Sequence, residues 1–306
     1  MVSTATMKRC LLYCCLYPED YCIPKKRLVE YWFCEGLLNE FDRISKAQMQ
    51  GDNIICSLLN ACLLENGGEM RGEDWVKTYD VIRDMALWIT REFETTENNF
   101  FVKAGPQLFE EPNVKTWKSV KRMSVMKNKI EVLKETPKCP NLRTLFLREN
   151  ELQVISNGFF QFIPHLTVLD LSVNLRLRAL PEGISQLVSL ECLDLSYTAT
   201  EELPIELKSL TRLKMLDLSY MNSLRKIPQH LISSFSKLFR CCTQALQLRD
   251  FSESEVFNVL CLENLEHLET LCFNNCENME MKMEKLHAWV SSSFNYASCF
   301  HTLNKV

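Results

Sequence analysis

The sequence predicts an α+β chain in which a compact helical unit precedes an α/β solenoid, a horseshoe of short stacked repeats. Two observations lead to this prediction. Leucines recur with a period of 23 or 24 residues through the middle of the chain, and the residues before them show amphipathic helical patterns separated by turn signals. With 306 residues, of which 46% are hydrophobic, the chain is long enough for both units. We place the boundary between residues 1–105 and 106–306.

The helical unit is predicted from apolar stripes and the signals that end them. The first helix ends at the turn residues 18–20, and Pro24 opens a second helix that closes near Gly36. A third amphipathic helix covers residues 54–63. Residues 75–78 then form a short strand or the wing of a winged helix.

A fourth helix is predicted to follow this strand. Asp80 suits its N-cap, because a carboxylate there accepts hydrogen bonds from the backbone N–H groups of the first turn. Its apolar face is formed by Val81, Met85, Trp88 and Ile89.

A helix–turn–helix followed by a wing leaves DNA binding as an alternative. The basic cluster of this unit is Lys25, Lys26 and Arg27, but acidic residues outnumber basic ones across residues 1–105. The net charge of the whole chain is −4. A solvated helix face is therefore favoured, and no nucleic acid is predicted as a partner.

The cysteines and the apolar runs bear on the compartment. The chain has 15 cysteines without the spacing of a disulfide framework or a zinc site, so we predict reduced thiols in an intracellular protein. The apolar run 10–17 has no cleavage site after it, and no run approaches the roughly 20 residues of a membrane span. The thiols assigned to buried apolar faces are Cys10, Cys14, Cys56, Cys62 and Cys192.

The repeat is defined by one segment, Leu142-x-x-Leu145-x-Leu147-x-x-Asn150-x-Leu152, which fits the leucine-rich-repeat pattern at every defined position. A weaker copy begins at Val120 and a degenerate copy at Leu268, so we expect about five to six repeats in all. The three further clear copies contain Leu166, Leu169, Leu171 and Asn174; Leu190, Leu193, Leu195 and Thr198; and Leu213, Leu216, Leu218 and Met221.

The alternation of leucine with other residues predicts a short strand whose leucines point into the core. The Asn side chain satisfies backbone groups where the chain turns away from the strand. Pro181 and Pro204 start short helical or 3₁₀ segments on the convex side. Because one copy cannot bury its own leucines, the copies must stack.

The positions between the leucines form two columns on the concave face, which we predict to be exposed. One column contains Phe146, Asp170, Asp194 and Asp217, and the next contains Arg148, Ser172, Ser196 and Ser219. Parallel strands lie about 4.8 Å apart, so the three carboxylates must be solvated or matched by a cation. They form either an acidic stripe that binds a partner or polar groups that serve the strand edges in any repeat of this class.

The repeat pattern weakens after Leu238. Residues 240–247 and 251–260 stay apolar but lose the register, residues 291–293 indicate a loop, and residues 303–306 look like the opening of another repeat. A solenoid normally ends in a cap with a polar outer face. The sequence shows no such cap, so we expect the chain to be the middle of a longer protein.

Three segments of the helical unit carry a family resemblance. Residues 8–20 (KRCLLYCCLYPED) and 23–32 (IPKKRLVEYW) closely resemble a motif of plant disease-resistance proteins, in the winged-helix part of their NB-ARC module. Residues 76–86 (VKTYDVIRDMA) are similar to the family's Met-His-Asp segment and the helix after it. The class is the coiled-coil type of nucleotide-binding, leucine-rich-repeat immune receptors. With the repeats, the resemblance covers nearly the whole chain.

The resemblance implies a role in plant defence. In this family the repeats recognise a protein, either a pathogen effector or a guarded host protein, and they also fold back on the winged helix as an autoinhibitory clamp. Full-length members lie in the cytoplasm, some of them peripherally at the plasma membrane. We therefore expect protein recognition and an intramolecular contact between the two units. The concave-face residues chosen for partner binding are Arg143, Phe146, Arg148, Asp170, Asp194 and Asp217.

Family members are also switches that exchange ADP for ATP. The sequence contains no G-x-x-x-x-G-K-[ST], so no cofactor is predicted for this chain. Where the family has its nucleotide-sensing histidine and aspartate, this chain has Tyr79 and Asp80, which the resemblance makes candidate nucleotide-sensing residues. The alternative function is an ADP/ATP-dependent signalling switch, with the nucleotide-binding portion supplied by a longer gene product.

No enzymatic or metal constellation is predicted. The 5 histidines are dispersed and show no metal-ligand spacing, and no G-x-S-x-G segment occurs. We therefore predict a protein that recognises other proteins and is not an enzyme.

Overall fold

The computed structural model describes residues 3–38, 43–70, 72–92, 99–105, 108–242 and 270–272. We call the first part of the chain, up to α4, the helical unit. Its helices are α1 (Thr4–Cys14), α2 (Lys25–Cys34), α3 (Ile44–Asn60) and α4 (Asp80–Glu92). Its strands are β1 (Ile23–Pro24), β2 (Glu65–Met70) and β3 (Glu73–Lys77), which form an antiparallel sheet in the order β1-β3-β2.

The rest of the described chain is built on short parallel strands. These are β4 (Phe100–Val102), β5 (Arg122–Ser124), β6 (Val132–Leu133), β7 (Thr144–Phe146), β8 (Val154–Ile155), β9 (Val168–Asp170), β10 (Cys192–Asp194), β11 (Met215–Asp217), β12 (Arg240–Cys242) and β13 (Thr270–Cys272). Eight of them form one parallel sheet, which we call the repeat sheet, in the order β13-β12-β11-β10-β9-β7-β5-β4. Strands β6 and β8 pair separately. This sheet already begins at Phe100, ahead of the predicted boundary at residue 106.

Local sequence explains where α2 begins and ends. Pro24 precedes its first residue with φ −61°, and the chain leaves the helix at Gly36 with φ +81°, a conformation that glycine adopts without strain. Helix α3 begins ten positions before the predicted start, at Ile44. Gly51 permits this longer helix to approach α2, because a Cβ at that position would meet Val29 Cγ2 at 2.4 Å.

The wing is a hairpin of β2 and β3. The predicted strand at residues 75–78 is confirmed by β3, and residues 66–68, for which no element is predicted, are part of β2. Their glycines concealed the strand, since glycine is a weak strand former. Gly67 is needed there because an added Cβ would lie 3.1 Å from the Trp75 backbone carbon.

The predicted apolar face of α4 is wrong for Val81, Met85 and Trp88, which are exposed, whereas Ile89 packs against the core of the helical unit. Val81 and Trp88 are 78% and 56% exposed, and the buried face of the helix contains Arg83, Ala86 and Thr90. Arg83 can be buried where an apolar residue would be expected, because its Nε donates a hydrogen bond to the Tyr17 carbonyl oxygen at 2.7 Å. Sequence periodicity missed this face because two of its three residues are polar.

The predicted short strands and their buried leucines are confirmed in the described residues. Every template leucine from Leu142 to Leu218 is at most 1% exposed, and together they form one continuous core. Asn150 shows why the motif needs an amide: its Nδ2 donates to the carbonyl oxygens of Val125 and Leu147 at 2.9 Å, and its Oδ1 accepts from Ile130 N at 3.2 Å. Two repeats are thereby joined by one side chain.

The convex connections also follow the prediction. Segments of 3₁₀ helix at Glu182–Gln186 and Ile205–Ser209 come directly after Pro181 and Pro204. The thiols of Cys10, Cys14 and Cys192 are buried as predicted, whereas Cys56 and Cys62 are exposed.

Some sequence predictions lie outside the described residues. These are the segments 243–247, 251–260, 291–293 and 303–306. The degenerate copy that starts at Leu268 is described only through β13.

Candidate functional site

The helical unit lies on the open face of the repeat sheet. The leucines on the other face of the sheet pack into the repeat core, while Phe146, Val168, Cys192 and Met215 on the open face belong to the core of the helical unit. We call this contact the docking surface. The concave-face columns, predicted to be exposed, are therefore covered by a part of the same chain. The alternation of leucine with polar residues indicates that one face of the sheet is polar, but it does not indicate what covers that face.

Arg27 of α2 is the cation that matches the acidic column. Its Nη1 lies 3.2 Å from Asp194 Oδ2, and its Nη2 contacts Asp217 Oδ2. One turn further along α2, the Tyr31 hydroxyl donates to Asp170 Oδ2 at 2.8 Å. The three carboxylates lie in register on adjacent strands. One helix of the helical unit thus contacts all three.

The two carboxylate oxygens of each aspartate have different partners. Asp194 Oδ1 accepts from the Ser196 N–H at 3.0 Å and from the Ser196 hydroxyl at 2.7 Å. Asp170 Oδ1 makes the corresponding bonds to Ser172, and Asp217 Oδ1 accepts from the Ser219 N–H at 2.9 Å. The second oxygen of each aspartate faces α2. The interpretation that these polar groups serve the strand edges is therefore confirmed for one oxygen of each aspartate, while partner binding by the acidic column stays a prediction.

Phe146 takes the place of an aspartate in the same column, and three tyrosines of the helical unit surround it. Its ring centroid lies 5.9 Å from Tyr13, 5.4 Å from Tyr17 and 5.2 Å from Tyr31. Such tilted and edge-to-face pairs stabilise an interface beyond their buried area. The docking surface thus has an aromatic part beside its acidic part.

Two ion pairs, one buried and one part-buried, join the two units at the docking surface. Glu35, just after α2, pairs with Arg122 of β5 and accepts from the Thr144 hydroxyl at 2.7 Å. Glu30 of α2 pairs with Arg240 of β12. Sequence reasoning missed these four charged residues. The available signal was the position of Arg122 and Arg240, which occupy the same place between leucine positions as Thr144.

The remaining partner-binding candidates lie at the edges. Arg148 donates from Nε to the Tyr21 hydroxyl at 2.8 Å, and Tyr21 donates to Glu149 Oε1 at 2.7 Å, so Arg148 also belongs to the docking surface. Arg143, which precedes β7, is exposed. Of the six candidates, Arg143 is exposed, Arg148 is part-buried and the other four are buried.

The two nucleotide-sensing candidates begin α4. The Tyr79 carbonyl oxygen accepts from Arg83 N at 2.9 Å, so Asp80 lies in the first helical turn and not at the cap position. Both side chains are exposed. A carboxylate in the first turn still interacts favourably with the helix dipole.

In the docking surface, the pKa values of two neighbouring carboxyl groups shift in opposite directions. Burial raises the pKa of Asp194 to about 6; Arg27 and Arg148 oppose this shift, while Asp170 and Asp217 add to it. Burial also acts on Asp217, but there Arg27 and the hydrogen bonds from Ser219 outweigh it and lower the pKa below its ordinary value. Arg27 therefore helps to lower the pKa of Asp217 below its ordinary value, but it does not overcome the effect of burial on the pKa of Asp194.

We expect the folded chain to be more stable at pH 5 than at pH 7.5, by about 1.4 kcal/mol. The folded pKa of Asp194 is about 6, against roughly 3.9 in an unfolded chain, so folding takes up a proton between these values. The stabilisation is complete below pH 4 and is lost as the pH rises through 6. Urea unfolding at both pH values measures it.

Asp194→Asn is expected to abolish this pH dependence, because the amide resembles the protonated acid. Asp84→Asn, at an exposed carboxylate of α4, is the matched control and is expected to leave it unchanged. An unchanged pH dependence in Asp194→Asn would contradict the assignment to Asp194.

Comparisons with known proteins agree with both units. Residues 16–86 match the family model described as "Disease resistance protein Winged helix domain", and residues 140–199 match the leucine-rich-repeat model. Disease resistance protein RPS5 of Arabidopsis thaliana is 43% identical over 266 residues, which are 87% of this chain and 29% of that protein. This chain is a homologue of the plant disease resistance proteins. From here on, we call its helical unit the winged helix.

Two further relatives from Arabidopsis thaliana support this assignment. Disease resistance protein SUMM2 is 48% identical over 203 residues, 66% of this chain and 22% of the relative. Putative disease resistance protein At4g10780 is 41% identical over 277 residues, 90% of this chain and 30% of the relative. The disease resistance homologue thus spans less than a third of the length of these relatives.

The matched regions of this disease resistance homologue contain both sides of the docking surface. Arg27 and Tyr31 lie inside the winged-helix match, and Asp170 and Asp194 inside the repeat match. Within the described part of the chain, no cluster of ligating side chains could hold a metal ion, and no helix has the length and apolarity to cross a membrane.

Proposed function

We propose that this chain is the regulatory and recognition part of a plant immune receptor of the coiled-coil, nucleotide-binding, leucine-rich-repeat class. In this proposal the repeats, forming a horseshoe solenoid, hold the winged helix at the docking surface and bind a protein partner when it is released. The observation that carries the proposal is Arg27, which reaches from α2 to Asp194 and Asp217.

The chemistry of the docking surface suits a contact that opens. Beside its apolar and aromatic part, the docking surface contains ion pairs, which add little stability over well-packed hydrophobic residues. Here one buried ion pair, one part-buried ion pair and a shared guanidinium lie between the units. Charged groups can be satisfied by water or by another protein once the units separate, whereas an apolar face cannot.

Partner binding and docking then compete for the same residues. Phe146, Asp170, Asp194 and Asp217 are at most 6% exposed in the docked chain. Arg143 remains exposed and offers a first contact. The partner is proposed to be a pathogen effector or a guarded host protein whose basic side chains replace Arg27.

Charge reversal at Arg27 tests the proposal. In Arg27→Glu, a fourth carboxylate would face Asp194 and Asp217, so we expect α2 to lose its protection from hydrogen exchange. Lys26→Glu makes the same charge change on the same helix at an exposed position and is the matched control. Mass spectrometry of deuterium uptake in the full chain measures both variants.

Loss of protection in Arg27→Glu with retention in Lys26→Glu is the expected result. Equal protection of α2 in both variants and the natural chain would contradict the docking role. A regulatory role further requires that Arg27→Glu in a full-length receptor signals without a partner, which a plant cell-death assay reports.

The nucleotide-dependent switch stays the alternative for a longer product. The observation that favours it is the exposure of Tyr79 and Asp80 at the start of α4, where a preceding domain has access to them. We propose that this chain alone is not an enzyme and holds no nucleotide, because it has no phosphate-binding loop. Titration with ADP, followed by calorimetry, would reveal binding. We also propose a cytoplasmic location, with peripheral plasma-membrane association in full-length members.

A further inference from the structure

Two cysteines, one from each unit, meet in the docking surface. Cys34 is the last residue of α2, and Cys192 is the first residue of β10. Cys34 Sγ donates to the carbonyl oxygen of Glu191, the residue directly before Cys192, at 3.8 Å, and both cysteines belong to the same buried cluster. Each residue is 1% exposed. The two thiols are therefore neighbours only when the winged helix is docked.

We propose that Cys34 and Cys192 form a disulfide that locks the winged helix onto the repeats. The inference rests on the proposed docking role and adds a covalent modification to it. The bond would join two residues 158 positions apart in sequence (192 − 34) and would close a long loop. In the chain-entropy account, long loops are the ones that a cross-link stabilises most.

The oxidant is a hydroperoxide, such as hydrogen peroxide. One thiolate attacks the peroxide oxygen, which gives a sulfenic acid and one water. The second thiol then attacks the sulfenic sulfur, the S–S bond forms, and a second water leaves. In total, two thiols lose two electrons and two protons while the peroxide is reduced to water.

The docked state slows the first of these steps. The neighbouring Cys34 thiol, together with burial, raises the pKa of Cys192 well above its ordinary value, so its thiol remains protonated. Opening of the docking surface exposes both thiols to water and peroxide. Reclosure then brings the oxidised cysteine against its partner. The lock thus forms on chains that open and close, and a reducing thiol reverses it.

The experiment treats the folded full chain with hydrogen peroxide, blocks free thiols and digests it with trypsin. Cleavage after Arg27, Arg43, Arg178 and Lys208 leaves Cys34 in peptide 28–43 and Cys192 in peptide 179–208, each as the sole cysteine of its peptide. We expect a cross-linked pair of these peptides that dithiothreitol separates. Cys34→Ser and Cys192→Ser are each expected to yield none.

A second measurement tests the lock itself. Oxidised Arg27→Glu is expected to exchange the amide hydrogens of α2 at least roughly 30-fold more slowly than reduced Arg27→Glu, the lower end of disulfide stabilisation. The exposed thiols of Cys56 and Cys62 serve as internal reporters of peroxide exposure. Their oxidation shows that the treatment worked.

The outcomes separate this inference from the docking proposal. If α2 is protected in the reduced natural chain but no 28–43/179–208 pair forms, the disulfide is refuted and docking stands. If the peptides cross-link equally to those of Cys56 or Cys62, the pairing is nonspecific and the inference also fails. If α2 is unprotected in the reduced natural chain, the docking proposal itself fails.

Discussion

Glu35→Ala is expected to lower the free energy of unfolding by about 3–5 kcal/mol, because it leaves a buried guanidinium without its counter-charge. Glu35 pairs with Arg122 and accepts from the Thr144 hydroxyl at 2.7 Å, and both charged residues are less than 9% exposed. Water cannot replace the carboxylate while the units stay docked. Urea unfolding measures the change, and hydrogen exchange shows whether α2 separates from β5 and β7.

Two variants complete this experiment. Glu151→Ala removes a partner of Arg176, from which it lies 2.8 Å away at the surface, and is expected to cost less than about 1 kcal/mol. The double variant Glu35→Leu/Arg122→Met replaces the buried pair by apolar side chains and is expected to recover most of the stability, to within about 1 kcal/mol. A loss in the double variant as large as in Glu35→Ala would contradict the ion-pair explanation.

Gly183→Ala is expected to destabilise the repeats by about 3 kcal/mol, at the upper end of ordinary overpacking. Gly183 lies in the 3₁₀ segment Glu182–Gln186, and a Cβ on it would fall 1.9 Å from the Asn157 carbonyl oxygen. A backbone oxygen cannot rotate away as a side chain can, so one convex connection must move relative to the next. Thermal or urea unfolding measures the loss.

Gly158→Ala is the matched control on the same side of the repeats. Its added Cβ would meet Thr136 Oγ1 at 2.9 Å, the end of a side chain that rotates. The reduced entropy of the unfolded chain offsets part of this contact, so the expected change is below about 1 kcal/mol. Similar losses in the two variants would show that the clash with Asn157 does not determine the effect.

The sequence was sufficient for features that depend on local pattern. The period from Leu142 to Leu218 fixed the strands and the buried face of the sheet, and Asn150 took its predicted role. Pro24 and Gly36 marked the bounds of α2. In each case the residues that define the feature lie close together along the chain, or repeat at a constant spacing.

Features that depend on contacts between the two units were not predictable in the same way. Nothing near Arg27 in the chain indicates that Asp217, 190 positions later, would receive its guanidinium. The solvated-face interpretation of the 25–27 cluster was therefore wrong for Arg27, although Lys26 is exposed. The buried face of α4 was missed for a related reason, because Arg83 is buried through a hydrogen bond to a residue of another segment.

Each aspartate contacts both α2 and its own strand end, and this limits which substitutions the docking surface tolerates. Any substitution of Asp170 or Asp194 that leaves no side-chain oxygen loses a bond to α2 and also the bonds that shape its own strand end. A change of partner specificity at these positions would thus carry a cost in repeat stability. Arg143 does not combine these two structural roles. New recognition properties are therefore more readily gained at the rim of the repeats than on their concave face.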